Sequence, residues 1–173
     1  MKIILKRLLC LLCAFVTLVS FCSCGNSGKI SDKEITSLID SYLELNLLTH
    51  NSSPATEDWD DYVEIDGRRY YDVIDERFDT WEQWENYILS IVCGELADWY
   101  LQDEGFINVD GMLYAYEGGM GYTYTDDYVY EILRNGDGEA VVRVTNPDVW
   151  GNYADEKVLT FTLTDDGWRI GRE

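Results

Sequence analysis

Phe106-Ile107-Asn108-Val109-Asp110-Gly111-Met112-Leu113-Tyr114-Ala115-Tyr116 is where the apolar period of this chain changes from helical to extended. Apolar residues before it recur every three or four positions, and after it they alternate or cluster with β-branched and aromatic neighbours. Strands are predicted over Met112–Tyr116, Tyr128–Arg134, Glu139–Thr145, Val158–Thr164 and Trp168–Gly171. The turns between them come from Asp110-Gly111, Asn135-Gly136-Asp137-Gly138 and Asp165-Asp166-Gly167, residues that tolerate the backbone angles of tight connections.

Upstream, Ser31-Asp32-Lys33-Glu34 forms a capping box, and Ile35, Leu38, Ile39, Tyr42 and Leu45 follow on one helical face, which predicts a helix from Asp32 to about Leu48. Asp66-Gly67 between Tyr62–Ile65 and Arg69–Tyr71 predicts a small hairpin. Asp79 or Thr80 caps a second helix carrying Trp81, Trp84, Ile88, Ile91 and Val92 inward, and Gly94 breaks it before Leu96, Trp99 and Tyr100 on a third. The expected fold is α+β: two to three N-terminal helices, then a curved antiparallel sheet of about five strands, nuclear-transport-factor-like or related.

The start of the chain has the pattern of a bacterial lipoprotein signal. Lys2, Lys6 and Arg7 precede an uncharged apolar run from Leu8 to Phe21, too short to span a bilayer, and Ser23 stands before Cys24. The resemblance to a lipobox implies cleavage before Cys24 and a diacylglycerol on its sulfur. An ordinary secretory peptide cleaved nearby is the alternative. Residues 1–23 are then a signal peptide, 24–30 a lipidated tether and 31–173 one domain. The expected location is the outer face of the cytoplasmic membrane.

Cleavage removes three basic residues and no acid, taking the formal charge from −20 to −23. Such a chain has no basic surface for nucleic acid or anionic lipid, so the lipid is its only hold on the membrane. Cys10, Cys13 and Cys22 leave with the leader, and only Cys93 remains beside Cys24. With one thiol there is no internal disulfide, and the domain depends on its core.

Tyr70-Tyr71-Asp72-Val73-Ile74-Asp75-Glu76-Arg77-Phe78 and Gly105-Phe106-Ile107-Asn108-Val109-Asp110-Gly111-Met112-Leu113-Tyr114, with a capped aromatic helix between them, resemble the DL-endopeptidase inhibitor family (IseA type). The likeness covers about Asp32 to Arg172. It implies export by a Gram-positive bacterium and inhibition of cell-wall cysteine peptidases that cut the stem peptides of peptidoglycan. Gly118-Gly119-Met120-Gly121 stands where relatives carry a glycine-arginine-glycine pattern.

Within that reading, the segment Glu117–Asp127 is the candidate inhibitory loop. Gly118, Gly119 and Gly121 permit close backbone approach, Tyr122 and Tyr124 are anchors, and Glu117, Asp126 and Asp127 supply carboxylates. A plain hairpin connection is the competing reading of the same residues. Trp81, Trp84 and Trp99 are expected in the core, whereas Trp59 and Trp150 are candidates for an exposed partner contact. The expected partner is a DL-endopeptidase met by a monomer. A small-ligand-binding or scaffold lipoprotein with a cone-shaped fold is the alternative, and a deep apolar pocket would mark it.

Catalysis is not expected. Cys93 and His50 are the sole nucleophile–base candidates, and Cys93 follows Ile88, Ile91 and Val92 as a small core residue. No metal or cofactor site is expected: there is one histidine and no cysteine cluster, and Asn135–Glu139 and Asp58-Trp59-Asp60-Asp61 do not match a calcium loop. The first of these is expected to be a hairpin turn and the second a solvated acidic loop. Acidic residues number 33, so no carboxylate pair singles itself out for glycoside hydrolysis.

Overall fold

Three Asp–Gly pairs set the strand pairing of the molecule. Asp66, Asp110 and Asp137 have φ of 52°, 52° and 57°, and the glycines after them 77°, 91° and 77°. Two successive positive φ angles give the turn whose twist matches that of paired strands, so each pair closes a two-residue hairpin. The computed structural model describes residues 28–51, 57–116, 128–147 and 154–173. The hairpins are β1 (Glu57–Ile65) with β2 (Arg68–Val73), β3 (Phe106–Val109) with β4 (Met112–Tyr116), and β5 (Val129–Gly136) with β6 (Glu139–Pro147). β7 (Ala154–Thr164) and β8 (Gly167–Arg172) complete the set.

The protein is α+β, but the strands form two antiparallel four-stranded sheets, ordered β1-β2-β4-β3 and β5-β6-β7-β8. This corrects the expected single curved sheet of about five strands. β2 and β4 pair through Tyr70↔Tyr116, Tyr71↔Ala115 and Asp72↔Tyr114, which draws the small hairpin into a sheet. With β2 on one side of β4 and β3 on the other, both edges of β4 are filled. β5 pairs with β6 instead and starts a second sheet.

Helix α1 (Asp32–Asn51) begins at the expected capping box: Ser31 N–H donates to Glu34 Oε2 at 3.0 Å, and Glu34 N–H to Ser31 Oγ at 3.3 Å. Its stripe Ile35, Ile39, Tyr42, Leu45 and Leu48 is buried. Thr80 caps α2 (Trp81–Ile91), exchanging hydrogen bonds with Gln83. α2 buries Trp84, Ile88 and Ile91, with Trp81 half-buried against the core. Gly94, at φ 62°, turns the chain into α3 (Glu95–Leu101).

α3 buries Ala97 and Tyr100 but leaves Trp99 52% exposed, correcting the expectation that Trp99 is core. Ala97 and Tyr100 lie three apart on the inner face of this short helix. Trp99, one residue before Tyr100, is turned about 100° away.

The chain before α1 is clasped to the β5–β6 turn. Ile30 N–H donates to Asn135 Oδ1 at 3.0 Å, Asn135 Nδ2 donates to the Ile30 carbonyl at 2.8 Å, and Gly138 N–H donates to the Gly28 carbonyl at 2.9 Å. Asn135–Glu139 is thus the expected hairpin turn, and it also anchors the entry to the first helix.

Candidate interaction surface

The edge strand β1 carries the most exposed aromatic group of the first sheet. Counting back from the Asp66-Gly67 turn pairs Ile65 with Arg68, Glu64 with Arg69, Val63 with Tyr70 and Tyr62 with Tyr71. The next paired residue on β1 is Asp58, opposite Asp72, so Trp59, Asp60 and Asp61 are extra and form a bulge. Asp60 N–H donates to Asp58 Oδ1 at 3.0 Å across it. The expected solvated acidic loop at Asp58–Asp61 is therefore a bulged strand, ordered by the ladder on either side.

The bulge lays Trp59 against Tyr71, with ring centroids 4.7 Å apart, and Tyr62 lies 5.9 Å from the same ring. Tyr71 is buried beneath them, while Trp59 remains 59% and Tyr62 45% exposed. The Arg69 guanidinium sits 5.0 Å from the Tyr62 ring centroid. Trp59, a candidate for an exposed partner contact, is exposed here.

The opposite face of the same strands is acidic. Asp58, Asp72 and Tyr114 form one cross-strand row, and the Tyr114 hydroxyl lies 3.5 Å from Asp61 Oδ1, at the outer limit of a hydrogen bond. Asp72 Oδ1 has under 1 Å² accessible and no hydrogen-bond partner among the described residues. Burial, then the charges of Asp61, Asp58 and Asp79, hold its carboxyl above the usual aspartate range. Burial and the neighbouring carboxylates likewise raise the Tyr114 phenol.

Tyr116, the last residue of β4, packs on Tyr70 at 5.7 Å between centroids. Arg68 lies 5.8 Å from the Tyr116 ring centroid and donates to Glu104 Oε2 at 2.9 Å. Tyr128, the first described residue after Tyr116, donates its hydroxyl to Asp40 Oδ1 at 2.7 Å on α1. Glu117, Gly118, Gly119, Gly121, Tyr122, Tyr124, Asp126 and Asp127 lie between these two tyrosines, outside the described residues, as do Cys24 and Trp150.

Cys93 is half-buried, with its N–H donating to the Ile170 carbonyl at 2.9 Å and burial pushing its thiol pKa up. The thiol is held at the junction of α2 and β8 rather than deep in the core. The His50 side chain lies outside the described residues.

Sequence reasoning passed over Tyr62, Asp72 and Tyr114 as surface components, and Tyr71 as the buried ring beneath Trp59 and Tyr62. The Asp66-Gly67 turn carried the signal for Tyr62 and Tyr71, since a two-residue hairpin dictates register by counting. The Asp72–Tyr114 neighbourhood depends on β2 meeting β4 and has no local signature. No protein-family model matches the chain, and no curated protein matches it.

Proposed function

We propose that this protein is a lipid-anchored surface protein that restrains a cell-wall DL-endopeptidase, using the acidic segment Glu117–Asp127 together with the aromatic edge of the first sheet. One observation carries the reading. The two segments whose residues resemble the inhibitor family, at 70–78 and 105–114, are distant in sequence yet meet in one sheet. The candidate loop leaves that sheet at Tyr116, beside Tyr70, Arg68 and Glu104. A rigid sheet at the root of a loop lowers the ordering cost of presenting it to an enzyme cleft.

A cone that holds a small ligand needs an open apolar interior. Among the described residues the space between helices and sheets is occupied by Trp84, Tyr42, Tyr100, Phe78 and Phe161, all under 2% exposed. A filled interior favours work done at the surface over the nuclear-transport-factor-like alternative.

The test is hydrolysis of peptidoglycan stem peptides by a peptidase retained from a cell-wall extract, with and without the mature chain. Glu117, Asp126 and Asp127 changed together to amides are expected to slow association and flatten its salt dependence. Tyr122 and Tyr124 changed to Ala are expected to speed dissociation. Unchanged inhibition by both folded variants moves the site to Trp150 and its neighbours. Cys24→Ala is expected to release the protein or block its processing; normal processing with salt-resistant membrane retention overturns the anchor.

A further inference from the structure

We infer that the β5–β6 hairpin is the corner of the domain that faces the lipid bilayer, and that the Tyr116 end of the first sheet is held away from it. The inference rests on the lipid-anchor reading above, and it adds an orientation to it.

The clasp determines where the tether leaves the domain. Asn135 binds both the N–H and the carbonyl of Ile30, and Gly138 holds the Gly28 carbonyl. Gly28 has φ +59°, and a Cβ there would lie 2.6 Å from Gly138 N. Gly28 therefore lies against the hairpin turn, and the tether starts there rather than at a free end. Four Cα steps separate Gly28 from Cys24, a span of at most about 14 Å when fully extended. A lipid on Cys24 keeps the β5–β6 turn within that reach of the headgroups.

Helix α1 then sets the distance to the other end. It starts at Asp32, just after the clasp, and rises about 1.5 Å per residue, so Thr49 is roughly 25 Å further on. A Cβ on Gly105 would lie 3.6 Å from the Thr49 carbonyl oxygen, and the Gly105 carbonyl accepts from Tyr116 N–H at 2.8 Å. The clasp and the root of the 117–127 segment are thus at opposite ends of α1.

Charge keeps the anchored corner from adhering to the bilayer. The anchored corner carries Asp137 in the β5–β6 turn and Asp165 and Asp166 in the β7–β8 turn, joined to it by Leu163 N–H donating to the Gly138 carbonyl at 2.8 Å. Anionic headgroups repel these carboxylates within a Debye length of about 8–10 Å. The corner is held near the bilayer by the tether without adhering to it, and the first sheet is presented to partners in the wall layer.

The experiment uses the acylated mature chain in vesicles of phosphatidylcholine and phosphatidylglycerol, with Cys93→Ser and a donor dye on Asp137→Cys or Glu104→Cys. Energy transfer to a headgroup-labelled acceptor is expected to be several-fold greater from position 137 than from 104. Adding Asn135→Ala with Gly28→Val to the position-137 protein is expected to lower its transfer by releasing the clasp. Equal transfer from both positions in protein whose Cys24 lipid is verified by mass spectrometry overturns the orientation alone. A mature chain without lipid on Cys24 overturns the anchor reading and the orientation with it.

Discussion

Gly138 donates its backbone N–H to the Gly28 carbonyl at 2.9 Å, and a side chain on Gly28 would collide with that same nitrogen. Gly28→Ala combines this clash with a left-handed backbone, which alone costs roughly 1–2 kcal/mol. Gly67→Ala is the control, because Gly67 has φ +77° and nothing within 4 Å of a Cβ. In denaturant titrations Gly28→Ala is expected to lose more stability than Gly67→Ala, and to expose Lys29 to proteolysis. Equal losses, with the N-terminal segment still protected, would show that the clasp yields without cost.

Asp72 is expected to weaken the fold at neutral pH. Its folded pKa is raised, so the folded state holds the proton more tightly than the unfolded chain, and stability falls as pH rises from the usual aspartate range through the folded value. Asp72→Asn removes the charge and is expected to stabilise the protein at pH 7. The gain should stay below about 1 kcal/mol, some 2–4 °C, because the carboxylate remains partly solvated. Below the aspartate range the wild-type group is protonated and the two proteins should melt together. A variant less stable than wild type at pH 7 refutes this account.

Trp59 and Tyr62 are 59% and 45% exposed, and the proposed inhibitory interface would use them as anchors. Trp59→Ala and Tyr62→Ala are each expected to weaken binding to the captured peptidase by about tenfold or more. Stability should fall by no more than about 0.5–1.5 kcal/mol, the worth of a ring pair with Tyr71. Calorimetry of binding beside thermal melts separates the two effects. Undiminished affinity in both variants removes the β1 edge from the interface.

Trp84 is fully buried against Phe106 at 4.4 Å and Phe78 at 5.0 Å between centroids, yet its Nε1 has no partner among the described residues. Trp84→Ala is expected to cost about 3–5 kcal/mol for the cavity it opens. Trp84→Phe keeps an aromatic ring and removes a stranded donor whose burial costs about 1–3 kcal/mol. Its loss should be much the smaller of the two in urea unfolding. Similar losses would mean that ring volume alone decides the site.

Features read correctly from sequence share one property: their partners are near in the chain. The Ser31–Glu34 and Thr80–Gln83 boxes close within one helical turn. The Asp66-Gly67, Asp110-Gly111 and Asp137-Gly138 turns pair strands that follow directly. Side chains of that kind select backbone angles whatever the rest of the molecule does.

Tertiary structure alone decided that β2 meets β4, that β5 starts a second sheet, and that the entry to α1 is clasped by Asn135, 105 residues from Ile30. It also turned Trp99 outward and bulged β1 so that Trp59 covers Tyr71. Each is a choice among alternatives of similar local energy. Ladder hydrogen bonds are nearly the same whichever strands pair, so the choice falls to how the whole set of apolar faces packs together.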